Sequence, residues 1–274
     1  MAIIALTSAK GSPGVTTTSL ALTLASSRSV LLVEADPSGG DLMAGYVRGE
    51  LAFDRGLADL AIAARHQDIA AEVPRHLIDL GRSEDPVRRL LLPGLAESAQ
   101  AATVAAFWPD LAAHLTDVAS RTGGDVIVDA GRLAVAHRPV PLLQAADLVL
   151  LVVRGTLRHA AAARSAVADL RRMMPSVIGD PVGLLVVEGG DYAPRDLSRR
   201  LGCPLRGTMP WQTRDAAALS DGIGRVTDRS ILLRAARTVR DGLHASIGPA
   251  SAAFYRRPEA PSKGSRRRPV EVGP

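Results

Sequence analysis

The chain has 274 residues, 47% of them hydrophobic, 22% charged and only 3% aromatic, so it is globular, built on an aliphatic core and large for a single domain. Its net charge of +5 is unevenly spread: residues 249–274 hold six basic and two acidic residues, which leaves a nearly neutral body and no compositional case for a nucleic-acid-binding fold. A single cysteine, Cys203, excludes an internal disulfide framework and a cysteine-based zinc site, and no stretch has the layout of a signal peptide or the length of a membrane span.

In chain order, apolar runs predict strands at 2–7, 30–33, 89–92, 125–129, 148–153, 182–187 and 205–208. Helical spacing predicts helices at 16–27, 56–65, 97–120, 156–174, 194–201, 213–221 and 229–246. The strands are continuously apolar rather than alternating, which requires helices over both faces of a parallel sheet. The expected fold is one doubly wound α/β domain over residues 1–248. Beyond it, residues 249–274 turn to Pro, Ser, Ala and Arg and are expected to form a disordered basic tail.

The most informative segment is Ala9-Lys10-Gly11-Ser12-Pro13-Gly14-Val15-Thr16-Thr17-Thr18, which follows the first strand and opens a helix. Gly11 and Gly14 allow the backbone to turn its N–H groups toward an anion, and the helix N-terminus adds a favourable dipole. Thr16 stands where a phosphate-binding loop places its Mg²⁺ hydroxyl, and Thr17 is placed for an inner phosphate. Val15, however, occupies the position of the usual loop lysine. The competing interpretation is a Gly/Pro turn that binds nothing.

These residues resemble the ParA/MinD group of P-loop ATPases, whose deviant loop has the form KGGxGKTT. The resemblance implies that Lys10, one of only two lysines in the chain (the other is Lys263), is the signature lysine that reaches across a nucleotide-sandwich dimer. It implies nucleotide contacts for Gly11, Ser12, Pro13, Gly14, Val15, Thr16 and Thr17. The likeness runs over residues 2–247. Glu34-Ala35-Asp36-Pro37 is similar to the group's D-x-D-P segment, so Asp36 is implied to position an attacking water. Val126-Ile127-Val128-Asp129 is similar to the Walker B strand, with Asp129 and Thr16 implied at Mg²⁺ and Ala130-Gly131-Arg132 beginning switch II. Ala145-Ala146-Asp147 precedes the next strand as in this group. Leu201-Gly202-Cys203-Pro204 with Gly207-Thr208-Met209-Pro210 resembles the segment near the nucleotide base, implying a contact from Pro210. Glu188 stands where the group has an adenine-binding Asn.

The implied cofactors are ATP and Mg²⁺. Val15 removes a charge-assisted phosphate contact, so ATP hydrolysis is expected to be weak or absent. Members of the group with degenerate loops resemble the localisation factors of Tad-type pilus and secretion systems, and that resemblance implies a positioning or scaffold subunit for a pilus or secretion assembly. The alternative is an ATP-dependent dimerising switch in DNA partition or division-site selection. Implied partners are a second copy of the chain and a secretion or pilus assembly ATPase or membrane complex, with non-specific DNA contact less favoured by the neutral body. The expected address is the cytoplasm, peripheral to the inner face of the membrane through partners.

Other features are expected to be structural. The six histidines have no HxxxH or HExxH spacing, and no nucleophile elbow is present. Cys203 is expected as a small buried hydrophobe, and Trp211 as packing beneath the last helices, with a place against a nucleotide base as the alternative. The last helix carries Leu232, Ala236, Val239 and Leu243 on one stripe, with Arg234, Arg237 and Arg240 expected in solvent.

Overall fold

Strands that are apolar at every position leave two faces to cover, and the chain covers each with its own core. The computed structural model describes residues 2–11, 13–49, 55–81, 85–174 and 180–247. Ser12 and the expected tail at 249–274 lie outside the described residues. The elements are β1 (Ile3–Ser8), α1 (Val15–Leu24), β2 (Val30–Glu34), α2 (Leu57–Ala63), α3 (Ile69–His76), β3 (Ile78–Asp79), β4 (Arg89–Leu92), α4 (Ala101–Ala105), α5 (Trp108–Thr122) and β5 (Asp125–Arg132). They continue with α6 (Val140–Gln144), β6 (Leu148–Arg154), α7 (Leu157–Met173), β7 (Val182–Val187), α8 (Pro194–Leu201), β8 (Leu205–Met209), α9 (Thr213–Ser220) and α10 (Ile231–Ser246).

The eight strands form one sheet in the order β3-β4-β2-β5-β1-β6-β7-β8, and only β3 runs antiparallel to its neighbour. This is the expected doubly wound α/β architecture. Along β1, Ile3 and Ala5 join the core beneath α2, α5 and α7, whereas Ile4 and Leu6 join the core beneath α1 and α10. That alternation, repeated on each central strand, is why the strands read as unbroken apolar runs.

Every predicted strand is present, and β3 is added; two residues are too few to carry a pattern. The helix expected at 97–120 is broken into α4 and α5 after a short 3₁₀ turn at Ser98–Gln100. Pro109 lies in the first turn of α5, where its missing N–H is harmless, and it could not continue a helix from upstream. The short helices α3 and α6 were not expected; α3 contains Pro74, and α6 is only five residues long.

The expectation for the last helix needs correction at one residue. Leu232, Ala236, Val239 and Leu243 are buried as the stripe requires, but so is Arg240, at 5% exposure. Its Nη2 donates to Asp125 Oδ2 at 2.7 Å and its Nη1 donates to the Leu22 carbonyl at 3.3 Å. His244 Nε2 lies 3.0 Å from the same carboxylate oxygen, and the Ala2 N–H donates to Oδ1 at 3.1 Å. Asp125 thus ties α10 to the entry of the central strands. Cys203 is buried, and that burial pushes its thiol up to about 11, so it is an inert core residue as expected.

Candidate functional site

The carboxyl ends of β1, β2, β5, β7 and β8 open onto a cavity of about 880 Å³. Open α/β sheets bind ligands at this edge, where the strand order reverses between neighbours. Here β1 has β5 on one side and β6 on the other, so the turn leaving β1 lies at the reversal.

That turn is built as a cradle. Gly11 and Gly14 both have positive φ, +75° and +93°, which a side chain would strain. Gly14 precedes α1 and offers no side-chain cap, so the first N–H groups of the helix face the cavity for a ligand or water to satisfy. Gly11, Pro13, Gly14, Val15, Thr16 and Thr17 all line the cavity. Val15 is only 7% exposed and belongs to the core under α1 and α10, so its side chain is a hydrophobic anchor for the helix start. Lys10 is exposed and is not among the lining residues.

Opposite the loop stand the acids. Asp129, near the end of β5, is wholly buried, and Oδ1 accepts the Gly131 N–H at 3.0 Å. Its Oδ2 has no hydrogen-bond partner. Burial pushes the carboxyl up to about 7; the Thr16 hydroxyl and the Gly131 N–H oppose the shift, while Glu34 and Asp36 add repulsion. Ser8 Oγ, also fully buried and on the cavity wall, is likewise unpartnered. Two orphaned polar atoms beside an anion cradle are the chemistry of a site that awaits polar ligands.

Asp36 lies against the next turn. A Cβ on Gly131 (φ +59°) would fall 2.1 Å from Asp36 Cγ, so only glycine lets the end of β5 pass this carboxylate. Asp36 Oδ1 accepts the Ser38 N–H at 2.8 Å, and Ser38 Oγ accepts from Arg132 Nη2 at 3.0 Å. Glu34, which the sequence resemblance treats as a stand-in for an aspartate, has another task. It is 1% exposed; Oε1 accepts from the N–H groups of Asp41 (2.7 Å) and Leu42 (3.0 Å), and Oε2 from Gly94 (3.0 Å). Burial raises its pKa, and the three donors pull against that. Glu34 therefore fastens the segment after β2 to the turn after β4.

The far end of the cavity is formed by Val187, Met209, Pro210, Trp211, Gln212 and α9. Trp211 is not beneath the last helices: it is 47% exposed, lines the cavity, and stacks under the Arg154 guanidinium at 3.9 Å from the ring centroid. Glu188 is exposed at the end of β7 and is not a lining residue. On the other side of the loop, His159 of α7 is 6% exposed; Nδ1 is 2.7 Å from Thr156 Oγ1, and Nε2 would sit 3.2 Å from a Cβ on Gly11. Burial, with Arg158 and Arg154 nearby, lowers its pKa.

The structure therefore brings Gly11, Pro13, Gly14, Val15, Thr16, Thr17, Asp36 and Pro210 to one cavity, with Asp129 buried beneath it, and leaves Lys10 outside. Three residues with no binding role in the sequence reading belong to the same place: Arg132, His159 and, as a fastener, Glu34. The Gly-Arg pair after Asp129 was the one available signal for Arg132. Nothing in sequence spacing joins His159 to Gly11.

Among the described residues no three His, Cys, Asp or Glu side chains converge on a point that could hold a metal ion. A hard cation would have to share its shell with phosphate oxygens and water, and the Thr16 hydroxyl with the orphaned Asp129 oxygen fits that need. No helix among the described residues is long and apolar enough to cross a membrane.

No protein-family model matches the chain, and no curated protein sequence matches it. Solved structures do. The septum site-determining protein MinD of Pyrococcus horikoshii, determined with Mg-ADP, superimposes with a TM-score of 0.69 at 17% identity, over 90% of this chain and 97% of that one. A ParA family ATPase from Chlorobium tepidum gives 0.63 at 18% identity, over 89% and 99%. An ATP complex of Cyanothece McdA gives 0.62 at 19% identity, over 89% and 96%. The chain has the ParA/MinD-like P-loop fold.

Proposed function

We propose that the cavity binds a nucleoside polyphosphate, ATP or ADP with Mg²⁺, and that the protein works as a positioning or scaffold subunit with weak or absent hydrolysis. The observation that carries this is a phosphate cradle whose described residues surround a missing charge. The glycines, the uncapped helix and the unpartnered Asp129 oxygen are in place, while Val15 puts a buried aliphatic group where a loop lysine would neutralise the terminal phosphate. Phosphoryl transfer depends on that neutralisation, so binding survives its loss better than turnover does.

Within this reading Thr16 and Asp129 hold the Mg²⁺, which supplies charge neutralisation for the phosphates when bound. Gly11, Gly14, Val15, Thr16 and Thr17 offer backbone N–H groups to the phosphates, Asp36 orients water, and Pro210 with Trp211 borders the base. The partner is a pilus or secretion assembly complex, reached by a homodimer. The positioning role has the support of the proteins that share the fold, among them a septum site-determining protein, while the pilus or secretion partner rests on the sequence resemblance alone. A phosphate-release assay tests the reading: no turnover above background is expected, and steady turnover abolished by Asp36→Ala overturns it. That outcome favours the second reading, an ATP-dependent dimerising switch in DNA partition or division-site selection. Its support is Lys10, exposed beside the cradle and free to serve another copy.

A further inference from the structure

The walls of the cavity are acidic where a polyphosphate would need them to be basic. Asp36, Asp41 and Asp221 line it, with Glu34 and Asp129 buried behind them. Among the described lining residues, Arg132 is the only Arg, Lys or His. Its backbone is held at the cradle itself. Arg132 pairs in register with Ser8, the last residue of β1, beyond the irregularity that separates Leu6 from Ser8. On one side, Gly131 is fixed by its N–H to Asp129 Oδ1 and by its carbonyl, which accepts from Thr7 Oγ1 at 3.0 Å. On the other, the Leu133 N–H donates to the Ser8 carbonyl at 2.9 Å. The side chain, by contrast, is exposed and bonded to a single neutral hydroxyl, that of Ser38.

We infer that Arg132 supplies a charge for nucleotide binding in place of the one Val15 withholds, leaving Ser38 for a phosphate oxygen of the bound nucleotide. The inference rests on the nucleotide-binding reading above and names the residue on which that binding depends. A guanidinium exchanges a neutral hydroxyl for an anionic oxygen with a gain in hydrogen-bond strength, and its fork suits a phosphate better than a single ammonium does. Ser38 is also the residue whose N–H holds Asp36, so the partner that Arg132 gives up carries the carboxylate at the reacting end of the cavity. The cation thus enters from the last residue of β5, and the loop needs no lysine to hold a nucleotide.

The test is a calorimetric titration of the full chain with ATP and Mg²⁺, with adenosine as a probe that lacks phosphate. Arg132→Ala is expected to weaken ATP by about ten- to a hundredfold and leave adenosine unchanged. Arg132→Lys should recover part of that loss, and Val15→Lys added to Arg132→Ala most of it. Unchanged ATP affinity in Arg132→Ala, or an equal loss for adenosine, overturns the inference and leaves the nucleotide reading standing. Failure of the wild-type chain to bind ATP or ADP at all overturns both.

Discussion

Asp125 and Asp129 stand near the two ends of β5, four residues apart and both almost completely buried, yet their surroundings differ in kind. Asp125 meets a guanidinium, an imidazole and a backbone N–H. Asp129 meets one backbone N–H, has an orphaned oxygen, and is repelled by Glu34 and Asp36. A buried carboxylate with its partners supplied by the fold is a structural tie; one denied them is held ready for something outside the chain. The same strand therefore closes the molecule at one end and leaves it chemically incomplete at the other.

Removing the guanidinium at the closed end should have the largest effect. Arg240→Ala takes the charged donor from a buried carboxylate and is expected to destabilise the fold by about 3–5 kcal/mol in urea denaturation. His244→Ala should cost under about 1 kcal/mol, since its ring is partly exposed and Arg240 remains. Equal effects from the two would break the contrast.

At the open end the sign should reverse. Asp129 has its pKa raised to about 7, far above the value it has unfolded, so folding penalises the ionised form. That penalty is absent below pH 4, grows as pH rises toward 7 and is complete above it. Asp129→Asn is therefore expected to stabilise the protein at pH 8 by about 1–3 kcal/mol, with the gain fading as the pH falls toward 4. Loss of stability in Asp129→Asn at pH 8 would mean that the carboxylate is a tie like Asp125.

Glu34 should behave as a tie although it lies behind the cavity. Glu34→Gln replaces an acceptor oxygen by a donor facing backbone N–H groups, and a cost of about 1–3 kcal/mol is expected. The remaining expected effect is a gain. Val15→Lys should tighten ATP about tenfold in a binding titration, since it restores one charge-assisted contact. No tightening would imply that Val15 is so firmly part of the core that the position cannot serve the cavity.

The two ends of β5 are not equally legible in the sequence. Gly11, Gly14 and Thr16 declare a cradle because they are local: strand, turn and helix follow within a few residues. Asp129 can be placed near the cavity from the sequence because it ends an apolar run. Arg240 cannot be placed in this way, since its partner is distant in sequence and an arginine on an amphipathic helix ordinarily faces water. Trp211 escapes the sequence for a related reason: its stacking partner Arg154 comes from another strand's end. Glu34 resembles a catalytic carboxylate until its three backbone donors are visible. Contacts between segments far apart in sequence leave no periodicity, and they decide which charged residues are ties and which are tools.

Titrating ATP with Mg²⁺ into the full chain while monitoring phosphate release tests the central claim most directly. The account predicts one nucleotide bound per chain with no release above background. An absence of binding at millimolar nucleotide, or sustained turnover that Asp36→Ala removes, would contradict it.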